Sequence, residues 1–114
     1  MKKILYFVSD HGLGHLTRSI AIMREFSDEA EFVIRNSNTQ FIEESLPNAK
    51  AISGKTDQGT LSQNNGISID WEKSKIAIDT WYDEFDSTLI KEQEIISKIN
   101  PDLIITDVSP LPLP

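Results

Sequence analysis

The sequence predicts an α/β fold, a parallel sheet with helices on both of its faces. Three observations carry the prediction. At the start of the chain an apolar run of strand length, Lys3-Ile4-Leu5-Tyr6-Phe7-Val8, leads through a glycine turn into a helical stretch. Ala30-Glu31-Phe32-Val33-Ile34-Arg35 then reads as a second strand. Strand, helix and strand within about thirty-five residues make a βαβ unit, whose crossover is right-handed. Near the end, Asp102-Leu103-Ile104-Ile105-Thr106-Asp107 reads as a further strand after a long helical stretch. Right-handed crossovers, with the switch point at the first turn, predict the strand order 3-2-1-4 and put the last strand beside the first.

Taken in order, residues 3–9 form the first strand. Its apolar run is continuous rather than alternating, as in a strand covered on both faces. Residues 15–27 form the first helix, with Ile20, Met23 and Phe26 on one face. After the second strand, Asn36-Ser37-Asn38 is a loop, Thr39 to Leu46 a short helix ended by Pro47, and Lys50-Ala51-Ile52 a weak third strand. Residues 53–70 are polar and rich in turn formers, and a loop of that length in a small domain is usually functional or disordered. Asp70 is placed to cap the next helical stretch, residues 71–99. There Ile78, Trp81, Phe85, Leu89, Ile96 and Ile99 form a stripe with a gap near Glu92, and Asp86-Ser87-Thr88 is the expected break. The aromatic residues Trp81 and Phe85 read as core. Asn100-Pro101 ends the stretch, and the prolines of the 108–114 tail prevent regular structure.

The chain has 114 residues, 39% hydrophobic and 25% charged, which fits one modest folded domain. Its net charge of −7 argues against nucleic-acid binding, though an acidic chain can still carry a local pocket for an anion. Without cysteine, thiolate chemistry and disulfides are excluded. No apolar run reaches the roughly 18 residues of a membrane span. Lys2 and Lys3 precede an apolar run too short for a signal peptide. A cytoplasmic location is the expectation. The last strand has no closing helix after it, so residues 1–114 read as a single, incomplete domain.

The chemistry concentrates at Ser9-Asp10-His11-Gly12-Leu13-Gly14-His15-Leu16-Thr17-Arg18. This turn lies at the carboxyl end of a parallel strand, where open α/β sheets bind ligands. Gly12 and Gly14 are expected to supply positive φ and close backbone approach. The helix start offers free N–H groups to an anion. His15 and Arg18, three residues apart, share the first helical turn. Arg18 has two readings, an acceptor's phosphate or carboxylate and a salt bridge to Asp10. His11 and His15 have metal-like spacing only on a helix, which the intervening glycines oppose, so neither metal nor cofactor is expected.

The turn His11-Gly12-Leu13-Gly14-His15-Leu16-Thr17-Arg18 resembles the N-terminal domain of GT-B glycosyltransferases. The likeness is to the branch with a Gly-x-Gly-His-x-x-Arg turn, which includes the peptidoglycan N-acetylglucosaminyltransferase and the glycosyltransferase-like region of arabinokinases. Asp57-Gln58-Gly59, Gln63, Gly66 and Asp70 are similar to the arabinokinase-type region, and Pro101 to Asp107 to a strand of many GT-B N-terminal domains. The resemblance implies a Rossmann-like N-terminal half of a GT-B architecture that holds a hydroxyl acceptor. A nucleotide sugar would sit on a C-terminal domain absent from this sequence. Peripheral membrane association of the full protein is compatible with it.

Glycosyl transfer to a hydroxyl needs a base, and a histidine suits that role near neutral pH. The resemblance makes His15 that base. Asp107, at the end of a strand on the same sheet edge, is the expected partner of its second ring nitrogen. Gly12, Gly14, Arg18, Asn36, Asp57 and Gln63 are the candidate ligand contacts.

Two other classes compete. In a dinucleotide-binding module Gly12-x-Gly14 would be part of the fingerprint, but Thr17 stands where the third glycine belongs. The second strand ends in Arg35-Asn36 without the acidic residue that holds a ribose, and Arg35 keeps an NADP-like variant open. The last class is a noncatalytic binding domain.

Overall fold

A computed structural model describes residues 1–113; Pro114, last of the tail prolines, lies outside the described residues. Four parallel strands form one sheet: β1 (Lys2–Val8), β2 (Ala30–Arg35), β3 (Lys50–Ile52) and β4 (Leu103–Asp107). Their order is β3-β2-β1-β4, the order the crossover rule predicts. Among the described residues four helices accompany the sheet: α1 (Gly14–Glu25), α2 (Thr39–Ser45), α3 (Trp71–Asp83) and α4 (Phe85–Ile99).

The continuous apolar run of β1 serves two cores. Its successive side chains point to opposite faces. Tyr6 and Val8 pack with Leu16, Ile20 and Met23 of α1 and Ile42 of α2. Leu5 and Phe7 pack on the other face with Val33 and Leu111, against Trp81, Phe85, Ile96 and Ile99 of α3 and α4. Each large side chain buried this way stabilises the fold by about 1.5–3 kcal/mol relative to exposure. Trp81 meets Phe85 edge to face at 6.2 Å, so both aromatic residues sit in the packing, as the stripe implies.

Several boundaries differ from the sequence reading. α1 stops at Glu25, and Phe26 becomes its C-cap, 48% exposed rather than on the buried face. The 71–99 stretch breaks at Glu84, earlier than Asp86. The Glu84 carbonyl accepts the first α4 bond from Thr88 N at 2.9 Å and a further one from Ser87 Oγ at 2.9 Å. The gap in the apolar stripe has a structural cause, since Glu92 is buried and paired with Arg35. Asp70 caps α3 as expected, accepting from Lys73 N at 3.0 Å. Within the long loop, Ser62 bridges Ile69 and Asp70 N donates to Leu61 O, a small hairpin turned at Gly66 (φ 72°).

α4 ends with Asn100 in the left-handed region (φ 50°), followed by Pro101. Asp102 then accepts from Lys3 N at 2.7 Å, and Lys3 Nζ donates to Ile99 O at 3.2 Å. These bonds set the register in which Val8 of β1 faces Asp107 of β4. Among the described residues no helix is long and apolar enough to cross a membrane.

Candidate functional site

All four strands end at one edge, and polar groups, some buried and some open to solvent, tie their following loops together. Asp10, just after β1, accepts from Ser37 N (2.9 Å) and Ser37 Oγ (2.8 Å) after β2, and from Thr56 N (2.7 Å) after β3. Asp57 accepts in return from Ser9 Oγ (2.5 Å) and Asp10 N (2.8 Å). Asn36 donates its amide to the carbonyls of Val8 (3.1 Å) and Ser9 (3.3 Å). The loop after β4 joins through Ser109, whose buried hydroxyl donates to Thr56 O at 2.6 Å. Hydrogen bonds to a charged acceptor are the stronger kind, so the two carboxylates serve as the main struts.

On this platform stand His15, in the first turn of α1, and Asp107, the last residue of β4. Ser9 N donates to Asp107 O at 3.1 Å and carries the sheet ladder one step further. His15 Nδ1 lies 3.0 Å from Asp107 Oδ2. Arg18 Nη2 is 3.3 Å from the same oxygen and 3.0 Å from His15 Nδ1. A carboxylate only accepts, so this contact calls for the proton on Nδ1 and leaves the Nε2 lone pair free. Nδ1 cannot then also accept from Arg18, whose donor is directed to the carboxylate. The expected alternative partner of Arg18, Asp10, is occupied by Ser37 and Thr56, so the salt bridge runs to Asp107 instead.

A cleft of about 660 Å³ opens between the loops after β1 and β3, lined among others by Asp10, His11, Gly12, Asp57, Gly59 and Leu61; His15, Arg18 and Asp107 are not part of its lining. Gly12 has φ 76°, as a turn glycine should, whereas Gly14 opens α1 and is not among the positive-φ glycines. A Cβ on either glycine would meet only open space. A Cβ on Gly59, by contrast, would overlap the His11 ring, so the imidazole lies directly on that backbone. Gln63 lies apart, in the hairpin, beside a separate hollow with Asn64, Asn65, Asp70 and Lys73. Asn36 is buried beneath the edge rather than open on it. Among the described residues no group of three His, Asp or Glu side chains is arranged to hold a metal ion.

The struts Ser9, Asp10, Ser37, Thr56 and Ser109 were not singled out by sequence reasoning as a network. Their signal is faint: a carboxylate directly after a buried strand, with hydroxyl residues in the other strand-end loops. The pair Arg35–Glu92 leaves a clearer trace, since each is a lone charge at an otherwise apolar position. Arg35 Nε and Nη2 donate to Glu92 at 2.6 and 2.7 Å, and Nη1 donates to Ile52 O (3.0 Å) and Ser53 O (2.6 Å). Four of the five guanidinium N–H groups are engaged and the side chain is buried, which disfavours Arg35 as the phosphate contact of an NADP-like reading.

No protein-family model, curated protein or solved structure matches the chain significantly. The fold and its edge define the class by themselves: a Rossmann-like α/β module, of a kind capable of ligand binding in general.

Proposed function

We propose that the chain binds a small polar molecule at the carboxyl edge of its sheet, with the Asp10–Gly12 turn and the loop around Asp57 as its walls. The observation that carries this reading is the cleft of about 660 Å³ at that edge, a size suited to a small ligand. Gly12 and Asp57 line that cleft, whereas Gly14 and Arg18 stand outside its lining. Titrating the chain with UDP-sugars, NAD(P) and simple sugar alcohols, read by amide NMR shifts, tests it. Shifts should cluster at residues 10–18 and 55–62 for one of these ligands. A response confined to other regions would count against the assignment.

A second, finer reading is favoured by the 3.0 Å contact of His15 with Asp107. In it the chain is the acceptor-binding part of a glycosyltransferase. His15 Nε2 takes the proton of an acceptor hydroxyl while Asp107 steadies the charge that forms on the ring. The hydroxyl oxygen then attacks the anomeric carbon of a nucleotide sugar, which a second domain would hold; the bond from that carbon to the phosphate oxygen breaks and the nucleoside diphosphate leaves. In a protein carrying that domain, His15→Ala should lower turnover by about a hundredfold or more. Near-normal turnover would take His15 out of the reaction.

A further inference from the structure

Val108 stands in the left-handed region at φ 78°. For a β-branched residue that conformation is a true outlier, because its side chain crowds the backbone there. Such a residue persists only where its surroundings over-determine it, and these places cluster at functional sites. The Val108 side chain is 63% exposed, so packing does not hold the bend. The anchors lie on either side. Before it, Asp107 O is held by Ser9 N at 3.1 Å. After it, Ser109 O accepts from Thr106 Oγ1 at 2.7 Å, Ser109 Oγ donates to Thr56 O at 2.6 Å, and Leu111 is buried in the second core.

The consequence concerns aim. A chain leaving β4 in extended form would carry residue 109 away from Thr56. The reversal at Val108 returns it at once, so Asp107 is clamped both at its own carbonyl and two residues later. Its side chain is then left facing His15 Nδ1. We infer that the left-handed bend at residue 108 is a positioning device, with Thr106 and Ser109 as its positioning residues: their lock on the bend aims the Asp107 carboxylate at His15 and selects the Nδ1–H tautomer. The inference rests on reading His15 as the reacting imidazole, but it concerns the tautomer and is read without turnover.

The test is the ring-nitrogen NMR spectrum of His15 in the 114-residue chain, at about pH 8 where an ordinary imidazole is neutral. Wild type should show one protonated and one bare nitrogen, and D107A, which removes the acceptor, should lose the Nδ1–H signature. V108G accepts φ 78° without strain, so it should keep the wild-type pattern and raise the melting temperature by several degrees. S109A and the milder T106V release the lock and should move the pattern toward that of D107A. Wild-type patterns in both S109A and T106V would overturn the inference, as would a melting temperature lowered in V108G. An unchanged spectrum in D107A would overturn it too, by removing the contact that is to be aimed. Loss of the turnover role of His15 alone would leave all these spectra as expected, so the two readings fail separately.

Discussion

Two contacts near the strand ends join a basic side chain to an acidic one, and they are built to opposite specifications. Arg35 and Glu92 keep only 5% and 3% of their side-chain surface exposed, and the guanidinium is further bound by two carbonyls. His15 and Asp107 keep 31% and 20%, with one ring nitrogen uncommitted. The first contact has four of the five guanidinium N–H groups bound, while the second engages only Nδ1 of the imidazole. Burial of a charged pair is costly unless its donors and acceptors are met, and Arg35 comes close to that condition. The comparison separates a charge pair that holds a loop in place from one available to chemistry, and proximity of opposite charges alone would not have told them apart.

The comparison breaks most visibly at Glu92. Glu92→Ala leaves the Arg35 guanidinium buried and unpaired, so it should cost about 3–5 kcal/mol of unfolding free energy in urea titration. A loss below about 1 kcal/mol would show that water reaches the pair and that it is not a buried strut.

Gly54→Ala sharpens the same point from the backbone side. A Cβ there overlaps the Arg35 guanidinium. The side chain must shift within its pocket, and the expected cost is about 1–3 kcal/mol. In Glu92→Ala, where Arg35 is already unpaired, adding Gly54→Ala should cost less than it does alone, since neighbours that share a partner are not additive.

His15→Ala should barely change stability, by less than about 1 kcal/mol, because its pair with Asp107 is partly solvated. A large loss would place His15 among the structural groups and undercut its availability for proton transfer.

The smallest effect belongs to Lys75 and Asp79, an exposed pair one turn apart on α3. The Asp79 hydrogen bond, with its charge, raises the Lys75 pKa above the ordinary 10.5. Its contribution is therefore present below that ordinary value and fades as pH rises through the raised one. Lys75→Ala should leave the melting temperature near pH 7 unchanged within error.

Much of the fold is legible from periodicity. The run 4–8, the run 32–34 and the strand after Pro101 are apolar at strand length. Once right-handed crossovers are required, such segments have one sensible order. The turn around Gly12 marks the working edge for the same reason. Boundaries were less legible where capping competes with pattern. Phe26 fits the apolar face of α1 by spacing, yet the chain leaves the helix one residue earlier. The break between α3 and α4 falls at Glu84, two residues before the position that spacing suggests.

The sequence by itself determined the parallel α/β sheet, its strand order and the edge at which ligands would bind, because periodicity, turn residues and crossover handedness are local or nearly local properties. Only the tertiary structure decided which polar groups meet there. Asp10 spans from β1 to the loops after β2 and β3, Arg35 reaches Glu92 across 57 positions, and His15 reaches Asp107 across 92. Such pairings depend on where separate elements pack and on which donors are already occupied. A pattern read along one segment carries no record of either.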